Sequence, residues 1–326
     1  MQAPVRQGRS SCRGSDMPLS LNPQTRLLVI APHPDDETIG TGGLIQQVRA
    51  AGGEVRILLL TDGDNNPWPQ RWLERRLWIG AAERARWGRR RRGEVERALR
   101  KLDVPAQALH AFGWPDMGIS VSLRQDFAPL LSAMTQQVQA YRPNVIALPA
   151  LGDRHPDHSA AHVLLRLALT GQAELPTLLT YLVHGHAAEQ PSERMLIDST
   201  AVQQSTKLSA MAEHHSQMAL SAARMLRLAG RQERYERVEP VKRQGLLCSL
   251  PWQPSPLWLP WLRLTLAGHA GVRVWSWNEA PRVRDAAGRH ALQLPPEMDG
   301  QGTLFIKLHL DLPSPWIFDR WGWWEV

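Results

Sequence analysis

Short continuous apolar runs alternate along the first two thirds of the chain with longer stretches in which apolar residues recur every three or four positions. Leu27-Leu28-Val29-Ile30-Ala31 is such a run, and it predicts a buried strand over Arg26–Ala31. The same reading predicts a helix from about Thr38 to Ala51, closed by Gly52-Gly53, then a second strand over Glu54–Thr61. Asp62-Gly63-Asp64-Asn65-Asn66-Pro67 has the composition of a loop. A basic helical region follows, with breaks expected near Gly80 and Gly88. A short strand over Ala108–Phe112, a helix over Leu123–Tyr141, a strand over Asn144–Pro149 and a helix over Ser159–Leu169 come next. Thr177–His184 and Arg194–Asp198 read as further strands, and residues 201–237 as helical. This alternation predicts an α/β fold with a Rossmann-like, doubly wound and mostly parallel sheet. Right-handed crossovers and the usual strand order set the first and fourth strands side by side at the switch point, where such sheets bind ligands.

Beyond about Pro240 the pattern changes. Leu304, Ile306, Leu308 and Leu310 alternate with Thr303, Phe305, Lys307 and His309, the period of a half-buried strand, and Val272 and Val274 do likewise. Residues 249–326 therefore read as a small, Trp-rich, antiparallel C-terminal β unit, residues 24–240 as the main domain, and residues 1–23 as a polar, basic, disordered tail in which Met17 is a second candidate start. Trp321, Trp323 and Trp324 could form a sugar-stacking platform; burial against the main domain is the favoured expectation.

The hydrophobic content of 43% over 326 residues is ample for a large domain plus a smaller one. No apolar run reaches the roughly 18 residues of a spanning helix. The nearest, Gly245 to Leu262, carries Pro251, Pro254, Pro256 and Pro260. The N-terminus lacks the apolar core of a signal peptide. Cys12 and Cys248 form neither an obvious pair nor a metal-binding spacing, which suits a reducing cytoplasm. The net charge of +7 is concentrated: Arg71 to Lys101 holds twelve basic and four acidic residues, so the remainder is near neutral. Trp72, Trp78 and Trp87 are interleaved with those arginines. The segment is either a solvated helix face or a surface for anionic lipid headgroups or a phosphorylated substrate, peripheral to the inner face of a membrane. No nucleic-acid-binding module accompanies it, so no nucleic acid is expected.

Two clusters carry the candidate chemistry. His33-Pro34-Asp35-Asp36-Glu37 directly follows the first strand, and His155-Pro156-Asp157-His158 follows the strand at Val145. Carboxylates at a helix start also cap free amides and complement the helix dipole, which is the plain explanation of either cluster alone. Two such clusters at neighbouring strand ends read better as halves of one metal site. Zinc in hydrolases takes three His or carboxylate ligands and leaves a fourth position to water. His33 and Asp36, three residues apart, can turn toward one ion, and His158 can complete the set.

The pair of motifs resembles the PIG-L/LmbE-type zinc-dependent N-acetyl-sugar deacetylases, over approximately residues 25 to 220. The resemblance implies a single Zn2+ on His33, Asp36 and His158, with Asp35 as general base and His155 assisting the tetrahedral intermediate and leaving group. Asp157 is expected to hydrogen-bond His155 and keep it protonated, and Glu37 to cap the helix. An Arg-x-x-Glu stretch and an aspartate after the third strand bind sugar in that family; Arg91 (with Glu94) and Asp116 match them. Lys207, Ala210, Met211, His214, Ser216 and Gln217 resemble a further family signature, with His214 expected in helix packing. Asp153 stands where some relatives carry a tyrosine, and His184-Gly185-His186 lies at a strand end. The implied activity is removal of an acetyl group from an N-acetylglucosamine-type sugar linked to a lipid or phosphate. A zinc amidase for a non-sugar acyl amine is an alternative. A dinucleotide-binding protein is disfavoured because Ile45 stands where the third glycine of the fingerprint belongs, and a non-catalytic sugar-binding protein because it has no use for Asp35.

Overall fold

The computed structural model describes residues 19–185, 194–239, 241, 243, 245–285, 288–298, 302–312 and 317–326. The expectations for the tail up to residue 18, with Cys12 and Met17, and for His186 lie outside these residues. The main domain runs β1 (Arg26–Ala31), α1 (Asp36–Ala50), β2 (Glu54–Thr61), α2 (Pro67–Glu74), α3 (Ala81–Lys101) and β3 (Leu109–Trp114). It continues through α4 (Ile119–Gln125), α5 (Phe127–Tyr141), β4 (Val145–Pro149), α6 (Pro156–Ala168), β5 (Thr177–Tyr181) and β6 (Arg194–Asp198), and ends with α7 (Ala201–Ala212), α8 (His215–Leu228) and β7 (Gln232–Arg237).

The seven strands form one sheet in the order β3-β2-β1-β4-β5-β7-β6. The first five are parallel, and β7 runs antiparallel to both β5 and β6. Both faces are covered, and β1 shows how its continuous apolar run serves two layers. Leu27, Val29 and Ala31 pack with Leu44, Ile45, Val48, Val95 and Leu99 from α1 and α3. Leu28 and Ile30 point the other way, onto Met134, Val138 and Leu164 from α5 and α6. β1 pairs with β4 through Leu27–Val145, Leu28–Ile146 and Val29–Ala147, so the loops after these two strands leave the sheet edge side by side.

Several local expectations need correction. α3 runs without a break through Gly88, a substitution a helix interior tolerates at about 1 kcal/mol. Trp87 is 1% exposed on its inner face, so it cannot belong to a surface with Trp72 and Trp78. The helical reading of residues 201–237 fails at its end: after Gly230, Glu233 and Tyr235 turn inward while Gln232 and Arg234 face water, the period of a strand. The glycines of α1 serve close packing, since a Cβ on Gly40 would sit 2.5 Å from the Tyr181 ring. They therefore leave no phosphate-binding turn.

The C-terminal unit begins at Leu247. It comprises β8 (Leu247–Ser249), β9 (Leu262–Gly268), β10 (Gly271–Ser276), β11 (Arg282–Arg284), β12 (His290–Gln293), β13 (Phe305–Leu310) and β14 (Trp323–Glu325). They form two antiparallel sheets, β10-β9-β13-β14 and β11-β12-β8. β13 is buried on both faces rather than half-buried. Ile306 and Leu308 enter the unit's own core with Leu264 and Leu266, while Phe305 joins Ala267 and Trp323 in the layer over α6. Arg166 of α6 makes two bonds to Glu325, at 2.6 and 3.1 Å, beside this contact. Trp323 is thus buried against the main domain, Trp324 is exposed, and none of Trp321, Trp323 and Trp324 lines the cavity described below. No helix among the described residues is long and apolar enough to cross a membrane.

Candidate functional site

The loop after β1 turns sharply into α1. Asp36 donates its N–H to the His33 carbonyl at 3.2 Å, and its carboxylate accepts the His33 N–H at 2.9 Å. Asp35, between them, has φ 111°, a conformation that side chains rarely adopt and that costs on the order of 1–3 kcal/mol. It is held there by Glu37 Oε2, which accepts the Asp35 N–H at 3.0 Å, and by Thr38 and Ile39, whose N–H groups donate to the Asp35 carbonyl. Glu37 thus closes the helix start, as expected, and with Oε1 it also meets His214 Nε2 at 3.1 Å.

Three donor atoms converge from the two loops. His33 Nδ1 lies 3.2 Å from His158 Nε2 and 3.3 Å from Asp36 Oδ2, and His158 Nε2 lies 3.1 Å from Asp36 Oδ2. A tetrahedral ion with bonds near 2.0–2.1 Å needs its ligand atoms about 3.3–3.4 Å apart. The triangle therefore fits a small tetrahedral cation with almost no movement. The far nitrogens of both rings are held by carboxylates: His33 Nε2 faces Asp116 and Asp157 at 3.3 Å, and His158 Nδ1 faces Asp153 at 3.1 Å. Such partners fix the tautomer that leaves the other nitrogen free for a metal. Two further groupings fall within 4.8 Å, His33 with His155 and His158, and His33 with Asp116 and Asp157. The second is the cradle of His33 Nε2, because Asp157 also accepts the Met117 and Ile119 N–H groups and Asp116 that of Asn65. In the first, His155 has only one nitrogen to offer, since Nδ1 already accepts the Asp157 N–H at 3.2 Å.

The proton affinities follow the same charge pattern. Burial opposes protonation of His33, yet bonds to Asp116, Asp157 and Asp36 hold its pKa well above the ordinary value. His158, also opposed by burial, is pushed up to about 9 by Asp36 and Asp153. Asp36 moves far the other way, because His158 and His33 outweigh its burial. Asp35 is raised to about 7 by burial, against the pull of Arg91 and with the charge of Asp36 adding to it. Carboxylates around two imidazoles thus call for positive charge at the point where the three donors meet. His155 is different: burial, with His33 and His158 beside it, lowers its pKa far below the ordinary value. The expected Asp157–His155 support is therefore corrected. The Asp157 carboxylate serves His33, and His155 is a neutral ring accepting a backbone N–H from the start of α6.

Of the four consecutive arginines only Arg91 is buried, on the α3 face that also carries Trp87, Glu94 and Val95. It donates to the Gly63 carbonyl at 2.6 Å and the Pro34 carbonyl at 2.7 Å, and reaches Asp35 Oδ2 at 3.4 Å. Gln217, its amide oxygen turned to the guanidinium, accepts from Nη2 at 2.5 Å. Only a glycine at position 63, at φ 62°, allows this approach, since a Cβ would fall 1.8 Å from Arg91 Nη1. Arg91 and Asp116 both line the cavity, Arg91 bonded to Asp35's loop and Asp116 to His33 and Asn65. The 207–217 signature also becomes legible: Lys207 pairs with Glu233 under α1, His214 with Glu37, and Ser216 with Glu94.

A cavity of about 380 Å³ opens over His33, Asp35, Asp36 and His155, and its wall includes His184, Arg224, Ile317 and Phe318. A slightly larger one, about 420 Å³, lies over His162 and Arg234 and contains none of the candidate ligands. Sequence reasoning undervalued two residues. Asp153, noted only as a departure, accepts from the backbone of His155, Val183 and His184 besides meeting His158. His184 packs 5.3 Å from the His155 ring and 4.9 Å from that of His158, with Nδ1 bonded to Arg224 at 2.9 Å. The available signals were the density of polar residues over 153–158 after β4 and, for His184, its place just past β5.

Fold and site together define a Rossmann-like protein with a His/Asp cation cradle at its switch point. Residues 28–169 match the family model described as PIG-L, GlcNAc-PI de-N-acetylase. It is 35% identical over 146 residues to the 1D-myo-inositol 2-acetamido-2-deoxy-alpha-D-glucopyranoside deacetylase of Mycolicibacterium paratuberculosis, a match covering 41% of this chain and 47% of that protein. The chain thus spans about half the length of the curated relatives it matches. Among solved structures it resembles teicoplanin deacetylase Orf2 (TM-score 0.52, 17% identity, 65% of this chain and 97% of that one). It resembles as well GalB, the 4-carboxy-2-hydroxymuconate hydratase of Pseudomonas putida KT2440 (TM-score 0.50, 18% identity, 68% and 100%). One fold thus carries a deacetylase and a hydratase, so the reaction has to be argued from the site.

Proposed function

We propose that the chain is a zinc-dependent N-deacetylase that hydrolyses the acetamide of an N-acetylglucosamine-type sugar. The observation that carries this is the triangle of His33 Nδ1, Asp36 Oδ2 and His158 Nε2 with sides of 3.1–3.3 Å, next to the unliganded carboxylate of Asp35. The names of the relatives over residues 28–169 support the sugar. A zinc ion held by His33, Asp36 and His158 would supply Lewis acidity toward the acetyl carbonyl and would lower the pKa of a water to about 7. Asp35 accepts the proton of the attacking water and returns it to the departing amine. Arg91, through Pro34, Gly63 and Asp35 itself, keeps that carboxylate aimed. His155 has its Nδ1 engaged, so its Nε2–H is the donor left for the oxyanion of the tetrahedral intermediate. Asp157, Asp116 and Asp153 orient the ligand rings. The test is acetate release from N-acetylated amino sugars by pure protein, with and without chelator. Release that chelation leaves undiminished would remove the metal from this reading; no release from any amino sugar would remove the substrate class.

The working location proposed is the cytoplasm, peripheral to an anionic membrane surface. Trp72, Leu77 and Trp78 are 68%, 84% and 89% exposed beside Arg71, Arg75 and Arg76, and Trp68 at the start of the same helix lines the cavity. Exposed indoles among cations suit a headgroup layer. Sedimentation with anionic but not neutral liposomes, lost in a Trp72→Ser/Trp78→Ser variant, is the expected result.

A further inference from the structure

We propose that Ile317 and Phe318, contributed by the C-terminal unit, determine specificity by holding an apolar substituent on the amino sugar, an alkyl chain or an aromatic ring. The identity of the sugar rests on the deacetylase reading; the existence of the subsite does not. These residues lie far outside the 28–169 match, yet they line the same cavity as His33, Asp35 and His155.

Their placement is anchored. The Phe318 ring packs 5.5 Å from the His184 ring, which itself lies against His155 and His158. The Arg154 guanidinium lies over the Phe318 ring, 5.4 Å from its centroid. The next residue, Asp319, donates its N–H to the Arg154 carbonyl at 2.8 Å and pairs through its carboxylate with buried Lys307 of β13. The C-terminal unit is thereby tied to the loop that carries His155 and His158.

The cavity has two kinds of wall. Its floor is polar and buried: His33, Asp35 and His155 are 9%, 8% and 7% exposed. Its rim is open to water and carries an apolar group, Trp68, Ile317 and Phe318 at 67%, 53% and 38% exposed, alongside the exposed polar residues Asn65, Asn66 and Arg224. Large apolar side chains left wet around a polar floor gain most from a ligand with the same division. The amino sugar satisfies the floor, and whatever it is linked to must leave across the rim. An apolar group fits against Ile317 and Phe318, whose side chains offer no donor or acceptor, while Asn65, Asn66 and Arg224 line other parts of the opening. Each methylene covered multiplies affinity by about four.

The experiment uses full-length protein loaded with zinc and three substrates: N-acetylglucosamine, its hexyl glycoside and its phenyl glycoside. Wild type is expected to favour at least one glycoside by ten-fold or more in kcat/KM, expressed in KM, and the preferred one tells chain from ring. Phe318→Ala and, at a more exposed position, Ile317→Ser are each expected to cut that preference at least five-fold. No preference in wild type, or a preference that both variants retain, overturns the proposal. Should wild type release acetate from none of the three, the deacetylase reading fails. The subsite is then decided by the calorimetric Kd of each glycoside against the free sugar, with the same ratios expected. A melting curve for each variant confirms folding, and Ile317→Ser decides if Phe318→Ala does not fold.

Discussion

The metal cradle and the seam between the main domain and the C-terminal unit are both buried, and they are made of opposite materials. The cradle packs His33, Asp36, Asp157 and His158 into a space where isolated charges would be prohibitive, and each finds a partner of opposite character. The seam packs Phe305, Trp323 and Ala267 onto α6 with an ion pair, Arg166–Glu325, beside them. A seam of this kind contributes stability roughly in proportion to the apolar area it covers. A cradle costs stability until something positive occupies it, and its return is in chemistry. The two regions should therefore separate cleanly: substitutions in one ought to change turnover, and substitutions in the other ought to change the melting temperature.

The sharpest test of that separation is Asp35→Asn. The amide is nearly isosteric, keeps the contact with Arg91, and can no longer accept the water's proton. Turnover should fall by on the order of 10² to 10⁴, with bound zinc by metal analysis and melting temperature close to wild type. An Asp35→Asn enzyme as active as wild type would remove the base, and with it the link between strained backbone and chemistry. In the seam, Trp323→Ala should do the reverse. Removing a buried indole costs about 3–5 kcal/mol, read as a shifted urea midpoint or an early transition of the C-terminal sheets. Acetate release per folded molecule from the free amino sugar should stay within about two-fold. A large loss of turnover at full stability would mean that the seam is part of the catalytic apparatus.

The contrast also governs what could be read from the sequence. The convergence of His33, Asp36 and His158 was legible because each is local, two residues of one loop and one of another, both after continuous apolar runs. Strand pairing then brought β1 and β4 together for a reason independent of chemistry. The partners of those ligands were not legible. Asp157 was assigned to His155 by proximity in the chain, but at a helix start the carboxylate points away from the residue two positions back and meets His33 instead. Arg91 is expected on sugar because Arg91 and Glu94 match the Arg-x-x-Glu stretch; the four consecutive arginines hide its register, and the helix face it shares with Trp87 and Glu94 turns it inward. β7 was lost in a helix because its strand period is too short to outweigh the helical stretch before it. Ile317 and Phe318 gave no signal at all, since nothing in their local pattern says which domain they face.

Asp153→Asn probes the boundary between the two materials, and its expected effect is the smallest. Asp153 is 2% exposed and touches no reacting atom. One oxygen accepts the His155 N–H; the other accepts from Val183 and His184 and meets His158 Nδ1. It therefore ties the β4 and β5 loops together as a structural residue does, and orients a metal ligand as a functional one does. Asparagine keeps one acceptor and turns the other into a donor. If the amide nitrogen faces His158 it meets another N–H; if it faces His155 it leaves a backbone donor unpaired. In the first case ring orientation suffers and the Val183 and His184 N–H groups lose their acceptor, so zinc affinity should fall 10- to 100-fold, measured by competition with a chromophoric chelator, and the metal-free melting temperature should fall with it. In the second only stability falls: one buried unpaired N–H costs about 1–3 kcal/mol while zinc affinity holds. Metal affinity and metal-free stability measured on the same variant tell these apart. Asp153→Asn with both unchanged would mean that the carboxylate does not hold the second histidine, and the cradle would then rest on strand pairing alone.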